Sequence, residues 1–263
     1  MDPMITNALT RASMISLIEV TYLFIDGAYL REVYDGMMKD FFGEPGELNF
    51  DYIKSNTGAR KVFYYDCLDD IPRKTESPED FAARKEAQES FFDEMRSREG
   101  YHVRLGTLSG RENRRRQKQV DVLLAVDMLN HAVLKNMSQA FLIAGDLDFK
   151  PVVDSLVGLG AYVRVYYEPR QAAKELWGAA DGSKKMGLPL LHEWSTPRFR
   201  EAHPIPSVAY NEGQPGNDYR PLARCIIAGM IGTLFERGDH FSHRTLKSGH
   251  DGTLHTRPLR VAG

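Results

Sequence analysis

The chain has 263 residues, 42% of them hydrophobic and 27% charged, with a formal net charge of −2. That balance excludes a globally disordered chain. Its two cysteines, Cys67 and Cys225, lie too far apart in sequence to form a CxxC zinc pattern or a disulfide framework. No apolar run reaches the ~18 residues needed to span a bilayer. Met14–Val20 has only Arg11 before it and Glu19 within it, which makes a poor signal peptide. A cytoplasmic protein with no membrane association is expected.

Residues 1–19 read as an N-terminal extension. Thr21–Ile25 is a short apolar run that reads as a buried strand, closed by Asp26-Gly27. Residues 28–42 suit a helix. Lys61–Tyr65 is a second strand, ending at Asp66. Ser77-Pro78-Glu79-Asp80 starts a helix within Thr75–Gly100, with acidic residues in its first turn. Tyr101–Leu105 reads as a third strand. Ser109–Lys118 is a basic loop with five Lys and Arg, and Val120–Leu134 has apolar residues at helical spacing. Ala140–Ala144 is a fourth strand, closed by Gly145-Asp146. Phe149–Leu159 is a helix stopped by Gly160, and Ala161–Tyr167 a fifth strand. Residues 170–180 suit a helix and Leu188–His192 a sixth strand. Prolines and glycines then make 196–219 a linker or surface arm, before a helix at 220–236 and a polar, His-rich tail. Residues 196–263 hold nine Lys and Arg against six Asp and Glu. Strands alternating with helices predict an α/β fold with a mostly parallel sheet and right-handed crossovers.

The aspartates carry the chemistry. Asp26 and Asp66 end strands, Asp146 and Asp148 follow the fourth strand, and Asp121 opens the helix after the basic loop. In a parallel α/β sheet the carboxyl ends of all strands share one edge, where ligands bind. Each aspartate alone is well explained as a turn former or helix cap. Several at one edge repel one another unless a cation neutralises them. Oxygen donors without nearby Cys or His favour Mg²⁺ or Mn²⁺ over zinc. Such a site suits phosphodiester hydrolysis by an activated water.

Three segments together resemble the NYN domain, and more narrowly its DUF88/LabA-like branch within the PIN-like nuclease superfamily. They are FIDGAYL (24–30), KQVDVLLAVDML (118–129) and AGDLDFKPVVDSLVGLGAYVRV (144–165). Tyr64-Tyr65-Asp66 and Ala180-Asp181 add to the match, which covers about residues 20–195. The resemblance implies a PIN-like three-layer fold and a Mg²⁺- or Mn²⁺-dependent ribonuclease. Asp26, Asp121, Asp146 and Asp148 would be its metal-site carboxylates. Asp127 matches a further family acid. It lies six residues beyond Asp121, about 120° around an ideal helix, so the two cannot both point at one ion if both lie on the regular helix. Lys118 matches the family lysine and would contact phosphate. Two positions depart from the pattern: Tyr29 replaces a frequent Asn, and Ala144 a frequent Ser.

The expected activity is hydrolysis of single-stranded or structured RNA, leaving 5′-phosphate and 3′-hydroxyl ends. The strand would pass Arg111, Arg114, Arg115, Arg116 and Lys118, and Tyr29 could stack on a base. The alternative is an RNA-binding or regulatory module on the same fold with little catalysis. A phosphatase acting on small esters is a third reading, disfavoured because a five-charge stretch suits a polymer better. A homo-oligomer is compatible with the resemblance.

Overall fold

The computed structural model describes residues 19–109 and 116–205, with the side chains of 107–109 and 116–118 left aside. Seven strands form one sheet: β1 (Thr21–Asp26), β2 (Lys61–Cys67), β3 (Tyr101–Ser109), β4 (Arg116–Lys118), β5 (Gln139–Ile143), β6 (Tyr162–Tyr167) and β7 (Gly182–Lys185). Their order is β4-β3-β2-β1-β5-β6-β7. Every neighbouring pair is parallel except β3 and β4. The sheet is thus α/β and mostly parallel, with helices on both faces.

The strands read as near-continuous apolar runs because both faces are covered. Leu23, Ile25, Val62, Tyr64, Phe141 and Ile143 point to one face. There they pack under α1 (Gly27–Phe42), α2 (Phe50–Thr57) and α3 (Pro78–Ser97). Tyr22, Phe24, Phe63, Tyr65, Leu142, Val163 and Val165 point to the other. There they meet Leu124 and Met128 of α4 (Val120–Val133) and Val153 and Leu156 of α5 (Lys150–Gly158). Leu176 of the short α6 (Lys174–Gly178) joins that second layer.

Several expected elements appear with shifted form. The helix expected at 170–180 shrinks to α6. The strand expected at Leu188–His192 is instead a helix, α7 (Leu188–Glu193), with Pro189 in its first turn. Its Leu188 and Leu191 turn inward together, and the sheet edge goes to β7, where exposed Lys184 and Lys185 face solvent. The basic stretch begins and ends in a ladder: Thr107–Ser109 pairs antiparallel with Arg116–Lys118. The helix α2 went unassigned in the sequence, although Asn49 caps its start and Gly58 closes it with a left-handed φ of 66°. The segment read as a linker opens with a further helix, α8 (Pro197–Ala202), capped by Thr196 and anchored by buried Phe199. The tail beyond 205 lies outside the described residues.

Trp194 is fully buried at the end of α7, with its ring against Tyr166 and its indole N–H donating to Asn56 Oδ1 at 3.0 Å. Trp194→Ala is expected to cost about 3–5 kcal/mol, the usual price of truncating a core Trp. Urea unfolding of both proteins measures it. Among the described residues no helix is long and apolar enough to cross a membrane.

Candidate active site

β1 has β2 on one side and β5 on the other. The chain winds from β1 through β2 to β3 in one direction, then returns to place β5 against β1. That reversal opens a crevice at the carboxyl ends of β1 and β5, where α/β sheets bind ligands. Ile25 pairs with Ile143, so Asp26 and the segment after β5 leave the sheet side by side.

Asp26 caps α1, its Oδ1 accepting the Tyr29 N–H at 3.1 Å. A Cβ on the next residue, Gly27, would clash with the Tyr64 ring. Asp-Gly is therefore what allows the acid and the helix start to sit so close to the sheet. Asp146 caps a single 3₁₀ turn (Leu147–Phe149), its Oδ1 accepting the Asp148 N–H at 3.0 Å. Gly145 before it lies against the Tyr29 ring and the Gln171 carbonyl, again leaving no room for a Cβ. Asp121 stands in the first turn of α4, after Gln119 has taken a left-handed φ of 76°. Asp121, Asp146 and Asp148 are exposed, while Asp26 is mostly buried.

These four carboxylates feel one another. Burial pushes the Asp26 carboxyl up to about 6, with repulsion from Asp121 and Asp66 adding to it against the Tyr29 N–H. Burial also raises Asp121, reinforced by Asp146 and Asp148. Among the described side chains none forms a salt bridge to any of the four. The donor set is all oxygen and, among the described side chains, has no cationic partner, which fits a hard divalent cation. The side chains stand apart, however: among the described residues no three His, Cys, Asp or Glu groups gather closely enough to hold a metal as they lie.

The charge has a consequence for stability. Asp26 carries its proton more tightly folded (about 6) than unfolded (3.8). Its contribution is therefore fully present below pH 3.8 and is lost as pH rises through about 6. Asn caps a helix as well as Asp. Asp26→Asn is thus expected to stabilise the protein in EDTA at pH 7.5 by about 3 kcal/mol, and to make no difference near pH 3.5. Denaturant midpoints across pH would show the two curves converging in acid.

The other aspartates take different work. Asp66, nearly fully buried, is ion-paired with Arg31 of α1, which also donates to the Tyr64 hydroxyl at 2.7 Å. The Cys67 N–H donates to Asp66 Oδ1 at 2.8 Å. Asp66 is neutralised rather than free. Asp127 is turned away from the edge, as its 120° offset requires. Its Oδ2 accepts from the Tyr65 hydroxyl at 2.9 Å and pairs with Arg104 Nε at 3.2 Å. Asp181 Oδ2 accepts the Val163 N–H at 2.8 Å, holding the start of β6.

Tyr29 is half-buried, and its hydroxyl accepts the Glu168 N–H at 2.9 Å. It ties the ends of β1, β5 and β6 together. Arg116 and Lys118 lie on β4, next to the start of α4. Arg111, Arg114 and Arg115 lie outside the described residues. Arg31 and the Tyr65–Asp127–Arg104 group were missed in the sequence, since such partners are more than twenty positions apart and no local pattern joins them.

The fold is a mostly parallel α/β domain with carboxylates from separate segments along one sheet edge. The NYN domain model matches residues 21–186, and the chain belongs to the NYN domain family, within the PIN-like nuclease superfamily. Among solved structures the chain is similar to a protein of unknown function from Vibrio parahaemolyticus RIMD 2210633. The two share 16% identity and a TM-score of 0.46, over 68% of this chain and 96% of the other. No curated protein matches the sequence at a significant level.

Proposed function

We propose that this NYN protein is a ribonuclease that uses Mg²⁺ or Mn²⁺ to hydrolyse RNA phosphodiester bonds. The observation that carries the proposal is that Asp26, Asp121 and the Asp146/Asp148 pair, from three separate segments, lie near enough to repel one another, with no ion pair to any of them among the described side chains. These four would hold the metal. Once bound, it would supply an activated water and charge neutralisation at the phosphorus.

The chain's own groups do the rest. The Tyr29 N–H donates to Asp26 Oδ1 and holds the carboxyl at the start of α1. The Asp148 N–H likewise fixes Asp146 through one oxygen. Asp121 and Asp148 are exposed, so their rotamers can turn toward a cation at little cost. Asp127 supports α4 through Tyr65 and Arg104. Tyr29, with its hydroxyl engaged, positions the crevice walls and leaves only its ring to a base. Arg111, Arg114, Arg115, Arg116 and Lys118 would hold the phosphates of a single-stranded or structured RNA.

The test is cleavage of a labelled single-stranded RNA with Mn²⁺, with Mg²⁺ and with EDTA. Cutting is expected with either ion and not with EDTA. RNA binding unaffected by EDTA, with no cutting under any condition, would replace this reading by a binding module.

A further inference from the structure

We propose that the outer face of α4 is the seam of a two-fold dimer, covered by a second copy of this chain. α4 is apolar on both sides. Val120, Leu124 and Met128 are buried against the sheet. On the opposite side Val122 is 65% exposed, Val126 48%, Leu129 40% and Val133 58%. Their spacing of four, three and four places them within an arc of about 60° on an ideal helix. It is the spacing of a helix–helix seam. An apolar helix face is normally buried against a neighbour. Elsewhere among the described residues, large exposed apolar side chains are few: Leu134, Leu147 and Leu159.

The stripe is complementary to itself. Place a two-fold axis across the helix midway between positions 127 and 128, with the partner helix antiparallel. Val122 then meets the partner's Val133, and Val126 meets the partner's Leu129. The flanks follow the same axis: Leu123 lies beside the partner's Asn130, and Ala125 beside the partner's Ala132. None of these eight positions is charged, so no like charges face across the seam. Small Ala125 and Ala132 let the backbones approach. Isologous pairing of this kind is the commonest route to a closed oligomer. RNA is a poor occupant, because the stripe offers no cation to a phosphate.

The area is sufficient but not generous. The stripe and its flanks expose roughly 500 Å² per copy, about 1,000 Å² per pair, the lower bound for a specific interface. A reversible dimer follows. Its two Asp121 residues would lie roughly 20 Å apart along the seam, at 1.5 Å per residue, so each copy keeps its own crevice.

Sedimentation of the full chain, in EDTA and without RNA, tests the proposal independently of nuclease activity. The mass is expected to rise from monomer toward dimer between low micromolar and several hundred micromolar protein. Val126→Glu/Leu129→Glu should raise the dissociation constant by more than about a hundredfold, since it buries facing charges. Both sites are partly exposed, so the thermal transition should stay unchanged. In a Cys225→Ser background, Val126→Cys/Leu129→Cys should cross-link two chains on oxidation, and Val122→Cys alone should not. A wild-type chain that stays monomeric overturns the proposal. So does a dimer that survives the two glutamates, or one that Val122→Cys cross-links.

Discussion

Asp146→Asn is expected to lower RNA cleavage by roughly a thousandfold or more, about 4 kcal/mol of barrier. The substitution is nearly silent structurally. Asp146 is exposed, and its cap serves one 3₁₀ turn that Asn closes equally well. Only the charge is lost, and with it one oxygen that would hold the cation beside Asp26 and Asp121. The measurement is initial cleavage rate at saturating Mn²⁺, with RNA affinity measured in parallel. Lost cutting with retained binding supports a catalytic edge at the end of β5. Wild-type cutting in the variant would move the chemistry elsewhere, and the metal assignment of Asp148 would fall with it.

Arg31→Ala is expected to destabilise the fold by about 3 kcal/mol, since it strips the cation from a buried carboxylate while the guanidinium itself is partly exposed. Asp66 is 1% exposed and would keep only its own neighbours' N–H and hydroxyl. The strained charge would then sit beneath the first turns of α1, close to Asp26, whose carboxyl already feels Asp66. Pairing Arg31→Ala with Asp66→Asn should recover most of the loss, because the uncompensated charge goes too. Urea midpoints of the two single variants and the double variant form a double-mutant cycle. A small loss in the single Arg31 variant would mean that water reaches Asp66 and that the pair holds little of the β2 edge in place.

The two effects separate two kinds of aspartate that look alike in sequence. Asp26 and Asp66 both end a strand, one after FI and the other after YY. Among the described side chains only Asp66 of the two finds a guanidinium. Arg31 lies on the helix that Asp26 itself caps, and α1 packs on the face to which Tyr64 points. No local pattern announces that contact. The 120° offset of Asp127, by contrast, is helix geometry alone; it separates Asp127 from Asp121, but the bond to Arg104 is a tertiary contact.

Local signals fixed the elements they could reach. Asp26-Gly27, Ser77-Pro78 and the stop at Gly160 mark ends that hydrogen bonds and backbone sterics decide within a few residues. The alternation of strand and helix declared a parallel α/β sheet, and with it a shared carboxyl edge. Where short apolar runs were ambiguous, reading failed. Leu188–His192 suits a strand or a buried helix turn equally, and Pro189, with the edge already taken by β7, decides for the helix.

The sequence by itself thus determined which carboxylates reach the sheet edge, because strand polarity follows from local pattern. Only the tertiary structure decided that Asp66 is paired there while, among the described side chains, Asp26 has no ion-pair partner. Strand order, the β1–β5 crevice, the neutralisation of Asp66 and the exposed face of α4 all depend on contacts between distant segments. Such contacts arise from packing two helical layers on one sheet, and no window of neighbouring residues encodes them.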